Sequence, residues 1–404
     1  MFKFLSGIPK RLKNILSHFK QYFTKPQFNN FCRTELALIN AGKKEHDITS
    51  LNELFTDKKH QSTLNRFFTN PKWKHQNLLQ EAKTLLLQET NKHHPQLPSP
   101  TPNTEHRSID DTVCRKYSKN TEMACYNYSS TQGKILSHDY VTSVYHNDQI
   151  KIPDNIKLYG SKKKCEQKNV PFKTKIDFAC EIIDEHTPLT KQTIIHWDSW
   201  YMCREVVEHC KNHGYRWIGD IKSNRVVYYR GEKFSLSSLY DLLCEEGRFV
   251  DVVVDGEFYL VCGVKVYVAE IGEVLILVNV KAGTDDLHFL CSDLVELSVF
   301  ELVEMALKRH VIEEVHKEVK ALGLGEYQFQ QSEAALIHAH LVCLAFVLLY
   351  ILRFRLLRYG TKRVLLTTDA AVKWVQGQVG GMFVHMVRDS KESTRSLLRR
   401  INTK

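Results

Sequence analysis

The order of hydrophobic and polar positions divides the chain into three kinds of pattern. Residues 1–92 have apolar residues mostly at helical spacing, which predicts a helical region. Residues 104–223 have three short β-type segments followed by alternating strand and helix patterns. This order predicts a mixed α/β sheet with helices on its faces. Between Arg225 and Val280 the period is two, so this segment is predicted to be β-rich with few helices.

One long helix is predicted from Ser298 to Leu322. Ser298 and Glu301 have the spacing of a capping box, and Gly323 supplies a C-terminal stop. On the helical wheel the polar side chains form one narrow stripe, and an apolar face lies well away from it. The stripe consists of Arg309, Glu313, His316 and Lys320. A surface helix with Glu and Lys four residues apart has the same pattern, so the stripe alone does not establish a site.

Changes in composition divide the chain into six predicted segments. The proline-rich linker should be extended and exposed, and it is the clearest boundary. The segments are a helical DNA-binding domain (1–92), the linker (93–103), the first part of the sheet core (104–223), a β-rich insertion (224–290), the second part of the core (291–360) and a basic C-terminal region (361–404).

The formal charge of +10 favours a polyanionic partner, of which nucleic acid is the commonest. The excess is concentrated near the N-terminus, where residues 1–90 contain 15 Lys and Arg against 7 Asp and Glu. Within them, the stretch from His60 to Trp73 mixes basic, amide and aromatic residues, including Arg66. That mixture suits a helix that contacts phosphates and base edges. A plain helical cap on a folded domain is an equally good interpretation.

Cysteine usage and apolar runs both favour a protein of the cytoplasm. The 11 cysteines include no C-x-x-C pair, which indicates reduced thiols rather than a disulfide framework or a zinc site. The basic, amphipathic N-terminus has no uninterrupted apolar run, so no signal peptide is expected. The longest apolar run, Ala334–Leu352, is interrupted by His338 and His340. It is predicted to be a buried helix rather than a membrane span.

Three acidic residues occur where such a sheet and its helices can bring them together. Asp110 and Asp198 are each expected at the end of a strand, and Glu313 is on the predicted helix. Mg²⁺ prefers carboxylate oxygens, and two such ions can activate a water or hydroxyl for attack on phosphorus. A turn or helix cap is the commoner role of a single aspartate at a strand end. Three acids in matching contexts favour a shared metal site.

Basic and aromatic residues near these acids are candidates for contacts with DNA. The candidates for phosphate binding are Arg309, Lys320, Lys222, Arg225 and Arg66. His196, two residues before Asp198, is expected to be packed rather than to bind a metal. Trp197, Trp200 and Trp217 are expected in the core or at its edge. A tryptophan can also stack on an unpaired base, and the sequence does not indicate which of the three, if any, does so.

Several segments match, in order, the motifs of one enzyme family. Ile109-Asp-Asp-Thr112 has the D-x-T form of a first catalytic acid, and Trp197-Asp-Ser-Trp-Tyr201 has the form of the second. Arg309-x3-Glu313-x6-Lys320 matches a Y-x2-R-x3-E-x6-K signature, with Ala306 in place of the tyrosine. Through these motifs, from about Gln61 to Leu348, the chain resembles the DDE transposases of bacterial insertion sequences, in the branch with a β-strand insertion before the last acid.

The resemblance implies a fold, a reaction and a set of partners. The implied fold is an RNase H-like core, with Asp110, Asp198 and Glu313 as catalytic acids that hold two Mg²⁺ ions, for which Mn²⁺ can substitute. The implied reaction is cleavage at transposon ends, after which the freed 3′-hydroxyl attacks target DNA. The implied partners are the terminal inverted repeats, the target duplex and a second subunit, all on the bacterial nucleoid in the cytoplasm.

Two other interpretations stay open. A structure-specific nuclease or resolvase has the same kind of core, but lacks a basic helical domain and a β-insertion. A transposase-derived protein that binds DNA without cutting it is the alternative to which Ala306 points.

Overall fold

Our computed structural model describes residues 5–42, 45–92, 104–129, 131–147, 149–254, 256–281, 287–358 and 367–389. The predicted linker, 93–103, and the end of the basic C-terminal region, 390–404, lie outside the described residues.

Helices precede the sheet, as the apolar spacing of residues 1–92 predicts. They are α1 (Lys10–Leu16), α2 (Lys25–Asn40), α3 (Ile48–Glu53), α4 (Gln61–Thr69) and α5 (Gln76–Thr90). In the stretch that ends at Trp73, the aromatic side chains of Phe67, Phe68 and Trp73 are buried. The rings of Phe67 and Trp73 stack with centroids 5.0 Å apart. Only the polar residues of that stretch, such as Arg66, are therefore exposed to a partner.

The strands of the described residues join in one twelve-stranded sheet. Its first elements are β1 (Thr104–Arg115), β2 (Cys125–Ser129), β3 (Gly133–His146), β4 (Lys151–Tyr159), α6 (Lys162–Lys168), α7 (Lys175–Asp184), β5 (Gln192–Trp197), α8 (Arg204–Asn212) and β6 (Arg216–Asp220). The order β4-β3-β1-β5-β6 has β3 antiparallel to β1 and β4, and β5 parallel to β1 and β6. This arrangement confirms the expected mixed α/β, RNase H-like fold.

The β-rich segment extends the same sheet. Its elements are β7 (Val226–Tyr229), β8 (Glu232–Ser235), α9 (Leu236–Glu245), β9 (Val250–Val254), β10 (Glu257–Val268), β11 (Gly272–Lys281) and β12 (Leu287–Ser292). β12 is antiparallel to β6, with Leu290 opposite Asp220, and β11 and β10 follow. β6, which precedes the segment, is therefore paired with β12, which ends it, whereas the first strand of the segment, β7, lies on the far side of β10. The period-two pattern does not predict α9.

Helices follow the last strand. They are α10 (Val299–Leu307), α11 (Val311–Ala321), α12 (Ser332–Arg358) and α13 (Thr368–Asp389), the last of which the sequence pattern does not predict.

The predicted helix from Ser298 to Leu322 is thus two helices, joined by a 3₁₀ turn at Lys308–His310. α10 packs on β6 and on β9–β11, whereas α11 packs on β1 and β3. The 3₁₀ turn lies between the helix that packs on one group of strands and the helix that packs on the other. Both predicted ends are present: the Ser298 amide donates to the Glu301 carboxylate at 2.9 Å, and Gly323 has a φ of 102°.

α12 is the central helix of the larger hydrophobic core. It contacts α1, α2, α4, α5, α11, α13 and β4. Ser332–Leu357 is long and apolar enough to cross a membrane, but 94% of its most apolar window is buried inside the protein, as in the core helix of a soluble protein. Residues of α1, α2, α4 and α5 belong to the same hydrophobic cluster as α12. The N-terminal helices therefore share this core.

Candidate active site

β1 carries two consecutive aspartates that point to opposite faces of the sheet. Because side chains alternate along a strand, His106 and Asp110 share one face, here called the front face, and Arg107 and Asp111 share the back face. α11 packs against β1 and β3 on the front face, while α7 and α8 cover the back face.

Three aspartates stand level with one another at the front face. In the parallel pairs, Ile109 is opposite Trp197, and Trp197 is opposite Gly219. The residues that come next on β1, β5 and β6 are Asp110, Asp198 and Asp220. β1 itself continues to Arg115 beside β3, so Asp110 is not at the end of its strand as expected. It is the first residue beyond the pairing of β1 with β5.

Two stacked tryptophans support this row from behind. Trp197 and Trp217 are fully buried, and their rings stack with centroids 5.5 Å apart. A Cβ atom added to Gly219 would lie 2.2 Å from the indole nitrogen of Trp197, so only glycine lets β5 and β6 approach with this packing. Trp197 and Trp217 are therefore core residues, and they fix the strands that end in Asp198 and Asp220.

The two aspartates of the predicted site are hard to ionise. Burial, and then the charges of Asp198 and Asp111, raise the pKa of Asp110 to about 8. Burial also raises the pKa of Asp198, helped by the charges of Asp111 and Asp220 and opposed by a hydrogen bond of 2.9 Å from the Trp200 amide. Closely placed carboxylates repel each other, and a divalent cation favours their ionised forms.

On the back face, acids are paired with cations. The Lys175 ammonium lies 2.9 Å from Asp111, whose carboxylate also accepts a hydrogen bond of 3.2 Å from the Tyr201 hydroxyl. Asp154 of β4 lies 2.8 Å from Arg107, and it also lies 3.0 Å from Lys83 of α5. These acids are paired with cations, whereas the Asp110 carboxylate accepts a hydrogen bond of 2.8 Å from the Asp111 amide.

Arg309, in the 3₁₀ turn, lies among the acids. Its side chain is only 15% exposed, and its guanidinium is 3.3 Å from Asp220 and 3.5 Å from Glu313. Its charge opposes the rise in the pKa of Asp110 and Asp198 that burial causes. The sequence predicts a phosphate contact for Arg309, but in the DNA-free protein this side chain binds carboxylates.

Glu313 lies in the first turn of α11, at the solvent side of Arg309. Its side chain is 54% exposed and also contacts His310 at 3.3 Å. Glu314 points elsewhere and is ion-paired with Lys151 on β4. Across the described ranges, no three His, Cys, Asp or Glu side chains lie close enough to hold a metal ion. The structure therefore links Glu313 to the aspartate row through Arg309 rather than directly.

A buried histidine fixes α11 above the row. The hydroxyl of Thr142 on β3 donates to the carbonyl oxygen of Asp110 at 3.1 Å. Burial lowers the pKa of His316 to about 3, so its ring is neutral, and Nε2 is 2.7 Å from the Thr142 hydroxyl. Because Thr142 uses its proton for Asp110, His316 donates to Thr142 from Nε2. His316 belongs to the predicted polar stripe, but its role here is to position the helix.

The other predicted histidine and the remaining basic residues have separate places. His196 is buried, and its ring nitrogen lies 2.9 Å from that of His106. Lys222 and Arg225 are in the turn after β6, where the Arg225 amide donates to the Lys222 carbonyl at 2.9 Å. Lys320 is exposed at the end of α11 and lines a cleft of about 930 Å³.

Arg66 lies apart from the sheet, exposed on α4, where it donates to the Ser62 carbonyl at 3.1 Å. The five candidates for phosphate binding therefore lie in three places. Arg309 is at the acid row, with Lys222 and Arg225 in the turn after β6. Lys320 is at the end of α11, and Arg66 is on the N-terminal helices.

Two family models match this chain. The model described as archaeal putative transposase ISC1217 matches residues 140–360, which include Asp198 and Glu313. The model described as DDE superfamily endonuclease matches residues 26–238, which include Asp110 and Asp198. Each covers more than half of the 404 residues. The chain belongs to the DDE transposase family.

No curated protein matches the chain of this DDE transposase. Proteins of the DDE superfamily are endonucleases that act on DNA with divalent metal ions, and the chain is a member of that superfamily.

One residue of the acid row, Asp220, is missing from the sequence-based candidates. Burial raises its pKa, and the charge of Arg309 opposes the rise. The signal was present, because Asp220 ends β6 much as Asp198 follows β5, and both strands are short, largely apolar runs. Only the register of β5 and β6 shows that the two residues are level.

Proposed function

We propose that this protein is a transposase that binds the ends of an insertion sequence and catalyses metal-dependent cleavage and strand transfer. The level position of Asp110 and Asp198 on adjacent parallel strands, beneath the helix that carries Glu313, is the observation that carries the proposal. Membership of the DDE family supports the reaction class.

The donor chemistry of the site fits Mg²⁺. Asp110 and Asp198 supply carboxylate oxygens, which Mg²⁺ prefers, and Mn²⁺ accepts the same ligands. When bound, such ions activate a water or hydroxyl and stabilise the leaving oxygen at phosphorus. Asp110, whose pKa burial raises to about 8, gives up its proton when a cation binds. Glu313 completes the set once Arg309 turns from the carboxylates to DNA.

The chain's basic residues then position the DNA. Arg309 is the nearest cation to the row and binds the phosphate next to the reacting one. Lys222 and Arg225 are in the turn that follows Asp220, and Lys320 follows Glu313 by two turns of α11. Arg66 contacts the duplex farther from the cut. We propose that a dimer pairs two transposon ends, as the family resemblance implies, and that the protein acts in the cytoplasm.

The test is Mg²⁺-dependent nicking of a labelled duplex that carries the inverted repeat flanking the gene. The wild-type protein should nick at the repeat end with Mg²⁺ or Mn²⁺ and should do nothing in chelator. A protein that binds this duplex and never nicks it would instead be the inactive DNA-binding relative. Cleavage at branched DNA regardless of the repeat would favour the resolvase.

Ala306 does not by itself favour the inactive relative. It is 7% exposed and belongs to an apolar cluster with Leu302 and Val303. Tyrosine at this position would overpack α10 against the sheet, at a cost of about 1–3 kcal/mol. Ala306→Tyr is therefore expected to lower stability rather than to restore activity.

A further inference from the structure

A second basic region lies at the edge of the sheet farthest from the β-rich insertion. Residues 115–134 and 160–174 contain nine Lys and Arg against two Asp and Glu, in a chain whose net charge is +10. β2 ends the order of strands on this side, and β8 ends it on the other. The exposed basic and tyrosine side chains of these two segments are here called the edge patch. The excess positive charge is therefore not confined to the N-terminal helices.

Side-chain contacts join the two segments into one surface. The Lys164 ammonium of α6 donates to the carbonyl oxygen of Lys119 at 3.3 Å. Lys168 of the same helix is ion-paired with Glu122. The Glu122 carboxylate also accepts a hydrogen bond of 2.9 Å from the Ser332 amide, at the start of α12. The edge patch is therefore fixed to the core, and one of the two acids in these segments is already neutralised.

Several cations of the edge patch have no counter-charge in the protein. Lys119, Lys162 and Lys163 are exposed, and across the described part of the chain none of the three is ion-paired. By contrast, Lys151 and Lys157 of the neighbouring β4 are both ion-paired. Unpaired lysines that stand together attract a polyanion, and binding is favourable because it releases the counterions of that polyanion.

Tyrosines lie among these cations. Tyr117 is 87% exposed, and the Arg115 guanidinium is 5.4 Å from the centre of its ring. Tyr126 and Tyr128 of β2 are also exposed, and the Lys134 ammonium is 5.7 Å from the centre of the Tyr126 ring. Tyrosine hydroxyls donate to phosphate oxygens, as lysine and arginine do. Protein–protein interfaces are enriched in tyrosine but depleted in lysine, so this mixture favours a nucleic acid over a protein.

The edge patch is separate from the acid row. Arg115 is five residues after Asp110 on β1, which is roughly 17 Å along the strand. The unpaired lysines lie in the loop after β1 and on α6, and neither element carries a residue of the acid row. Substitutions in the edge patch are therefore expected to leave the catalytic acids in place.

We infer that the edge patch binds the phosphates of duplex DNA of any sequence. The choice of DNA as the partner rests on the proposed function. Lysine and tyrosine contacts to phosphate position a duplex but carry no sequence information. The protein thus has a DNA contact besides the N-terminal helices and the acid row, and this contact suits DNA that the protein must hold without selecting its sequence.

The test measures DNA binding by the full-length protein in chelator, so that no cleavage occurs. One fluorescent duplex carries the inverted repeat, and the other has the same length and a scrambled sequence. In the triple variant Lys119→Ala/Lys162→Ala/Lys163→Ala, the slope of log affinity against log salt should be shallower by about 2–3, at about 0.9 for each phosphate contact. Affinity for both duplexes should fall by the same factor, about tenfold or more, because phosphate contacts act uniformly across sequences.

Two matched variants separate the edge patch from total charge and from folding. Lys191→Ala/Lys233→Ala/Lys265→Ala removes three exposed lysines from other surfaces, and should keep the wild-type salt slope. Replacing the three patch lysines by arginine keeps the charge and should also keep the slope. Melting temperatures should stay near that of wild type in all three variants, since exposed side chains change stability little.

Each other outcome overturns a stated claim. If the patch variant keeps the wild-type slope, or if the scattered variant loses as much, the inference is wrong. Mg²⁺-dependent nicking of the repeat duplex at saturating protein tests the proposed function separately. A loss confined to the repeat duplex would contradict binding of any sequence. If the patch variant keeps its DNA affinity but loses binding to vesicles of phosphatidylserine and phosphatidylcholine, the surface contacts lipid instead. If wild type binds neither duplex, both proposals are contradicted.

Discussion

Aspartates on the front face and on the back face of the sheet have opposite electrostatic surroundings. On the back face, Asp111 and Asp154 are bound by Lys175 and Arg107. On the front face, burial and the repulsion of Asp198 hold the pKa of Asp110 near 8. Helices cover both faces, so burial does not distinguish them. The difference teaches that a buried acid without a bound cation is a better candidate for function than one held in an ion pair.

The largest effect expected from this comparison separates Asp110 from Asp111. Asp110→Asn and Asp198→Asn should lower Mg²⁺-dependent nicking by about 10³-fold or more, and the double variant should be little worse, because the residues act as a unit. Asp111→Asn should lower stability and keep nicking within about threefold, since Lys175 retains Asp139 at 2.6 Å. Nicking rates on an end-labelled duplex measure both. An equal loss of nicking in Asp110→Asn and Asp111→Asn would show that the two faces do not differ in function.

The next comparison concerns neighbouring residues on α11. Glu313→Gln should lower nicking by about 10²-fold or more while binding of the duplex stays near normal. Glu314→Gln should keep most of the activity, because Glu314 only pairs with Lys151 at the surface. Single-turnover nicking with saturating protein separates chemistry from binding. A wild-type nicking rate for Glu313→Gln would show that Glu313 is not one of the metal ligands.

The ion-paired acids of the back face should contribute more to the free energy of unfolding than the acids of the front face. Asp154→Asn leaves Arg107 and Lys83 buried without their carboxylate, and should cost about 3–5 kcal/mol. Although burial alone would raise it, these cations hold the pKa of Asp154 below its ordinary value. The stability it contributes is therefore present above about pH 4 and is lost as the pH falls further. Denaturant unfolding at neutral and acid pH measures this, and an equal loss at both would contradict the pairing.

A smaller effect is expected at Asp220, which holds Arg309 at 3.3 Å. Asp220→Asn should lower nicking about tenfold, because Arg309 is then less well placed for phosphate. Asp251→Asn is a matched control, since Asp251 is exposed on β9 of the same extended sheet. A drop as large as that of Asp198→Asn would instead make Asp220 a metal ligand.

The smallest effect is a gain in stability. Without divalent metal, burial keeps Asp110 protonated in the folded chain up to about pH 8, whereas the unfolded chain ionises near pH 4. Stability therefore falls as the pH rises between these values. Asp110→Asn removes this loss, and should raise the melting temperature at about pH 8, with no gain near pH 4. A lower melting temperature of the Asp110→Asn variant than of wild type at about pH 8 would contradict the raised pKa of Asp110.

The sequence predicted the parts of the fold that local pattern controls. β5 and β6 are short apolar runs with clear ends, and α7 and α8 have helical spacing. Four strands, β1–β4, precede α6 where the pattern predicts three, because Pro153 and polar residues interrupt the alternation of β4. α9 was missed because a short helix inside a period-two segment leaves little signal. The break in the long helix was missed because no glycine or proline marks the turn at Lys308–His310.

The candidate site was predictable in its residues but not in its contacts. Motif spacing picked out Asp110, Asp198 and Glu313, yet these choices remain predictions. No local pattern reveals that Arg309 lies between Asp220 and Glu313, because that contact depends on where a 3₁₀ turn sits above the ends of two strands. Exposure likewise distinguishes Trp200 from its two buried neighbours only after folding.

The position of α12 in the chain has a consequence for synthesis. The helices before residue 92 bury their apolar faces largely against a segment that begins at Ser332. At the usual elongation rates of about 5–20 residues per second, the ribosome needs roughly tens of seconds to supply it. During that time the apolar faces of the first helices cannot pack on α12. A chain truncated before Ser332 is therefore expected to leave these faces exposed and to aggregate.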